Sequence, residues 1–120
     1  MSNNFKETWE IYVASWKVET SDEKLELFKQ CLSSESEYND PMIKTKGHDE
    51  LVNYMLDFHQ QIPGGHFVTT YFLAHSSKSI ARWEMRNAAK EVLGEGISYA
   101  EYNESGMLTS ETGFFELPSA

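Results

Sequence analysis

Apolar residues recur every three to four positions in three stretches of the first half of the chain, then alternate in the second half. Phe5, Trp9, Tyr12, Val13 and Trp16 fall on one helical face, and Asn3 or Asn4 offers a side-chain cap at its start. Thr20 with Glu23 three residues on reads as a capping box, with Asp22 and Glu23 where a helix dipole favours acids. Leu25, Phe28 and Leu32 are the stripe this second helix would bury, and Ser33-Ser34-Glu35-Ser36 breaks it. Proline pushes the residue before it toward extended geometry, so Tyr38-Asn39-Asp40-Pro41 predicts a short strand through Tyr38 and Met42-Ile43. Gly47 opens a third helix with Leu51, Tyr54, Met55, Phe58 and Ile62 on one face, and Pro63-Gly64-Gly65 ends it.

From His66 onward the period becomes two. Residues 66–75 are rich in Val, Thr, Tyr and Phe and run into the polar turn Ser76-Ser77-Lys78. Residues 80–87 alternate, with Ala81, Trp83 and Met85 on one face and Arg82, Glu84 and Arg86 on the other. Residues 88–93 read equally as a strand end or a turn. Residues 96–102 and 107–117 form a hairpin around Asn103-Glu104-Ser105-Gly106, with Gly106 suited to a left-handed position. Helices first and an antiparallel meander afterwards predict an α+β domain.

The chain's 120 residues suit one domain, residues 1–120, burying roughly two-thirds of the surface its unfolded form exposes. Aromatics are 13% of the chain, apolar bulk with polar handles that suits a core and equally a ligand cavity. A net charge of -9 repels phosphate backbones and anionic lipid, so neither nucleic acid nor membrane is the expected partner. The one cysteine, Cys31, excludes an internal disulfide and reads as partly buried core. Residues 1–10 carry no signal-like apolar run and no stretch approaches eighteen apolar residues, so a cytoplasmic protein is expected.

Asp40 is the first candidate for chemistry. Read functionally, it is a carboxylate enclosed at a pocket, able to take a proton from carbon or oxygen. Read structurally, it bonds nearby backbone and starts a turn, as Asp before Pro often does. His66 and His75 are nine apart and point to opposite faces of one strand, while His48 and His59 lie about three helical turns apart. No His-x-His or Glu-x-x-His pair occurs, so no metal is expected; a single pocket histidine, His66, stays open. Gly94-Glu95-Gly96 lacks a third glycine and a following helix, and better suits a bend in a curved sheet than a dinucleotide loop. Of Trp9, Trp16 and Trp83, mainly core by their spacing, one is expected to touch a ligand.

The order helix, helix, Tyr-x-Asp-Pro, Gly-His-Asp-x-Leu helix, Pro-Gly-Gly and four long strands resembles the nuclear transport factor 2-like superfamily. Within it the chain looks like the SnoaL-like polyketide cyclase and ketosteroid isomerase group. That resemblance implies a cone: a strongly curved, mostly antiparallel sheet wrapped around three N-terminal helices, with a pocket at the open end, usually in a homodimer. Asp40 matches the general-base aspartate of the ketosteroid isomerases, and Tyr54 and Phe58 match cavity-lining positions. Ser98 falls where those isomerases place a protonated aspartate, and Tyr12 and Trp16 are the nearest candidates for their oxyanion-hole tyrosine. Glu111 aligns with an inward-facing apolar position, bringing a second carboxylate to the cavity.

The expectation is thus a pocket of Tyr12, Trp16, Tyr54, Phe58, His66, Trp83, Ser98 and Glu111 around catalytic Asp40. It would take a small apolar or aromatic molecule and need no metal or organic cofactor. An isomerase, cyclase or dehydratase, a non-catalytic ligand binder, and a dimeric interaction protein all fit this pattern.

Overall fold

In the computed structural model, which describes residues 4–117, the three periodic stretches are helices: α1 (Phe5–Ser15), α2 (Ser21–Cys31) and α3 (His48–Gln61). Asn4 caps α1 by accepting from the Glu7 amide, and Thr20 caps α2 through the Glu23 amide. The alternative cap, Asn3, lies outside the described residues. Six strands follow and interleave: β1 (Leu32–Asp40), β2 (Ile43–Lys46), β3 (His66–His75), β4 (Lys78–Arg86), β5 (Val92–Tyr102) and β6 (Leu108–Phe114). They form one sheet in the order β2-β1-β6-β5-β4-β3. Every pairing is antiparallel except β1 with β6. Among the described residues no helix is long and apolar enough to cross a membrane.

The structure departs from the expected elements in three places. Ser33–Ser36 does end α2, yet the chain turns straight into β1, whose ladder with β6 pairs Leu32 with Leu108 and resumes at Glu37, so Ser33–Ser36 lies in the irregularity between the two. The single short strand expected through Tyr38 and Met42-Ile43 is two strands, β1 and β2, folded back at Pro41-Met42. Residues 88–91 are a loop in which Asn87 and Glu91 bond each other's backbone and side chain, and β5 begins at Val92. The 103–106 hairpin closes as expected, with Gly106 at φ +83°.

Helices α1 and α2 pack together, α1 lies on β3, and α3 contacts α2, β1 and β2. Trp9, Tyr12, Trp16, Phe28, Leu51, Met55 and Leu108 are buried between helices and sheet. The buried face of α2 includes Lys24, Phe28 and Cys31, while Leu25 is only half-buried. Lys24 is fully enclosed. Its ammonium donates to the carbonyls of Ser15 at 2.8 Å and Val18 at 2.6 Å, and to His59 Nε2 at 2.8 Å. One lysine thus holds the end of α1, the start of α2 and the end of α3. Burial pushes it down to about 8, and the same burial, with the Lys24 charge, pulls His59 below its usual value.

Lys24→Met keeps the apolar stem but leaves two buried carbonyls without a donor. Its urea midpoint should show a loss of about 1–3 kcal/mol, with the unfolding slope unchanged. A midpoint equal to wild type would show that the ammonium does not join the helices.

Candidate functional site

Asp40 ends β1 on its inner face, and the groups around it come from three elements. Tyr38, two residues earlier on the same face, donates its hydroxyl to Asp40 Oδ2 at 2.6 Å. Tyr54, on the face of α3 turned to the sheet, donates to the same oxygen at 2.8 Å. Oδ1 accepts from the amides of Met42 at 2.8 Å and Ile43 at 3.2 Å, which makes the β1–β2 turn. Two donors thus reach each carboxylate oxygen. Burial pushes both tyrosine hydroxyls above their usual range, and the adjacent Asp40 pushes the same way, so both stay protonated donors.

The rings of Tyr38 and Tyr54 belong to an aromatic cluster centred on Trp16. Its indole lies 5.8 Å from Tyr38, 6.0 Å from Tyr54, 5.5 Å from Phe58 and 5.3 Å from Phe67, centroid to centroid. Phe67 stacks on Phe58 at 5.2 Å and meets Trp83 edge-on at 5.1 Å. These distances are direct contact. The protein's own rings occupy the interior in front of Asp40. Trp83 in turn donates its indole N–H to Ser98 Oγ at 3.0 Å.

Glu111 sits on the inner face of β6, level with Tyr38 on β1 and Ala100 on β5. It is 1% exposed, and neither carboxyl oxygen has a hydrogen-bond partner. Burial pushes it up to about 8, so it is a neutral acid through most of the physiological range. After burial itself, the Glu111 charge is the largest influence raising the phenol of Tyr12 and the thiol of Cys31, and it also acts on Tyr102, which is pushed up to about 12. These groups are its surroundings. Two residues along β6 is Gly113, where a Cβ would lie 3.6 Å from Asp40 Cβ, 3.8 Å from Ser98 Oγ and 3.9 Å from the Tyr38 hydroxyl. Asp40, Ser98 and Tyr38 thus converge over a bare stretch of backbone, with Glu111 next to it.

The expected residues divide accordingly. Asp40, Tyr54, Phe58, Trp16, Trp83 and Ser98 are brought together, and Tyr12 and Glu111 adjoin them deeper in the cone. His66 is set apart: it alternates with inward-facing Phe67, and its Nδ1 lies 3.1 Å from the Gly64 carbonyl. Tyr38 and Phe67 belong to the cluster without having been singled out. The alternation in Tyr38-Asn39-Asp40 already put the tyrosine on the aspartate's face. Among the described residues no three His, Cys, Asp or Glu side chains are grouped to hold a metal ion.

No protein-family model matches the sequence, and no curated relative does. Solved structures match in shape. A candidate isomerase of the SnoaL-like family from Agrobacterium tumefaciens is 19% identical, covers 94% of this chain and 97% of its own, and has a TM-score of 0.85. A SnoaL-like protein of unknown function from Burkholderia thailandensis is 14% identical over 98% and 99%, with a TM-score of 0.72. A protein with a cystatin-like fold from Methylobium petroleophilum is 11% identical over 97% and 78%, with a TM-score of 0.77. The chain has the nuclear transport factor 2-like fold, in the form that SnoaL-like proteins carry.

Stability should report the state of Glu111. An acid whose folded value is raised binds its proton more tightly when folded. It therefore contributes stability fully below its ordinary value of 4.5 and loses it as pH climbs through about 8. Glu111→Gln, neutral throughout, should match wild type near pH 4.5 and exceed it by a few kcal/mol, in order of magnitude, above pH 8. Urea midpoints of both proteins at pH 4.5 and 8.5 check this; a difference independent of pH contradicts it.

Proposed function

We propose that this protein binds a small carbonyl compound in the cone and moves a proton on it without a cofactor, as an isomerase, cyclase or dehydratase does. The observation that carries this reading is Glu111: a buried carboxyl with no partner costs several kcal/mol, and a purely structural interior has no use for it. Asp40 is the base and Glu111 the acid. A carbon next to the carbonyl gives its proton to Asp40 Oδ2 as the Tyr54 hydroxyl swings aside. The electron pair moves onto the carbonyl oxygen, which accepts a hydrogen bond from neutral Glu111. Returning the proton to another carbon gives isomerisation; passing it instead to a β-hydroxyl, which leaves as water as the electron pair returns from oxygen to form the carbon–carbon double bond, gives dehydration. Names of SnoaL-like structural neighbours that refer to isomerase and polyketide cyclase chemistry agree with this class.

A second reading, binding without turnover, has its own support: the four donors on Asp40 already use the acceptor positions that a base needs. Deuterium exchange at the α-carbon of 2-tetralone in D2O, followed by NMR, separates the two. Catalysis predicts accelerated exchange that Asp40→Asn removes and Glu111→Gln slows about 100-fold or more, with tetralone still bound. Binding of tetralone without any exchange favours the second reading.

We also propose a second copy of the chain as partner, seated on the outer face of the sheet. Two adjacent rows across β3–β6, Tyr71-Arg82-Ile97-Phe114 and Leu73-Ile80-Tyr99-Thr112, contain one charged residue on a molecule of net charge -9. Five of them, Tyr71, Leu73, Ile80, Ile97 and Phe114, are 38–57% exposed. The flanking rows carry the charges, Glu84 and Glu95 at one end and His75, Lys78 and Glu101 at the other, so the two inner rows form an apolar band with a polar rim that a two-fold partner would cover. Light scattering should give about twice 13.8 kDa, and Ile97→Asp should halve it; a wild-type monomer at tens of micromolar rules the interface out.

A further inference from the structure

We propose that Trp83 occupies a latent binding seat, and that a planar aromatic ligand of indole size with one ring N–H or O–H takes its place. This rests on the small-molecule reading above and names the ligand class. The seat is Gly96, directly opposite Trp83 in the β4–β5 ladder. A Cβ there would lie 2.2 Å and 2.4 Å from Trp83 ring carbons and 2.8 Å from the Phe114 carbonyl, so the indole lies against bare backbone. Phe67 forms one wall at 5.1 Å, and Phe115, just past the end of β6, forms another at 6.1 Å.

An aromatic ring over a cross-strand glycine is also a plain packing device. Two features point further. Trp83 is only half-buried, whereas Trp9 and Trp16 are core, so its ring can swing out while the buried cluster stays intact. Its one polar atom is spent on Ser98 Oγ, and that hydroxyl stands 3.8 Å from the point over Gly113 that is 3.6 Å from Asp40. A ligand ring in this seat, donating to Ser98 as the indole does, lies beside the carboxylate to which the chemistry is assigned. The indole marks the shape, the flatness and the single donor that such a ligand shares.

The test is fluorine NMR of the full chain labelled with 5-fluorotryptophan, the Trp83 signal being assigned by its loss in Trp83→Phe. Indole added to millimolar concentration should shift that signal saturably toward its solvent-exposed position and leave those of Trp9 and Trp16 in place. Gly96→Ala, which fills the seat, should place Trp83 at the exposed position without indole and weaken indole binding at least tenfold. A Trp83 signal that stays in place at saturating indole, or moves together with the other two, overturns the inference. If Trp83 stays seated while wild type still exchanges 2-tetralone, the seat fails and the proton-transfer reading stands. Displacement without exchange keeps the seat and removes the chemistry.

Discussion

Four donors converge on the carboxylate of Asp40, and the geometry of the interior depends on that convergence. Its two amide bonds fold β2 back on β1, and its two tyrosine bonds tie β1 to α3. Charge-assisted bonds of this kind are each stronger than a neutral pair, and burial raises the penalty for losing any one. Helix α3 is therefore fixed to the sheet at Tyr54, one turn before Phe58. That placement sets Phe58 against Trp16 and Phe67 and, through Phe67, against Trp83. The aromatic filling of the cone is ordered from one end by a single carboxylate.

Glu111 is its opposite in every respect. Asp40 is saturated with partners and Glu111 has none, although both lie on the inner faces of the paired strands β1 and β6. Two carboxyls in one interior, one with four donors and the other with none, form an unequal pair whose environments differ as far as two carboxyls can. Lys24, the buried cation nearest in kind, is engaged with helix-end carbonyls and His59 and leaves Glu111 uncompensated.

What could be read from the sequence was what local periodicity encodes. The helical faces of α1 and α3, the Thr20 box and the Gly106 hairpin each depend on residues a few positions apart. Ser33–Ser36 misled because β6 holds the chain on either side of it, pairing Leu32 with Leu108 and Glu37 with Ser110, both far along the chain. Lys24 was not singled out, because the burial of a lysine follows only from three helix ends meeting around it. The resemblance brought Asp40, Tyr54, Phe58, Ser98 and Glu111 into one list. It did not reveal that Asp40 would be encircled by donors or that Glu111 would be left without any. Partner counts are a property of packing. The seating of Trp83 on Gly96 likewise follows from a β4–β5 register that no short-range pattern records.

The cone holds an unpartnered carboxyl, neutral by burial, beside one that is bonded on both oxygens. Carboxyl-carbon chemical shifts of selectively labelled glutamates, with Glu111→Gln to assign the signal, measure this directly across pH 3 to 10. Glu111 is expected to stay protonated through neutrality and to titrate near pH 8. A Glu111 signal that titrates at its ordinary value of 4.5 would mean that it meets water or a cation, and the acid assigned to this site would not exist.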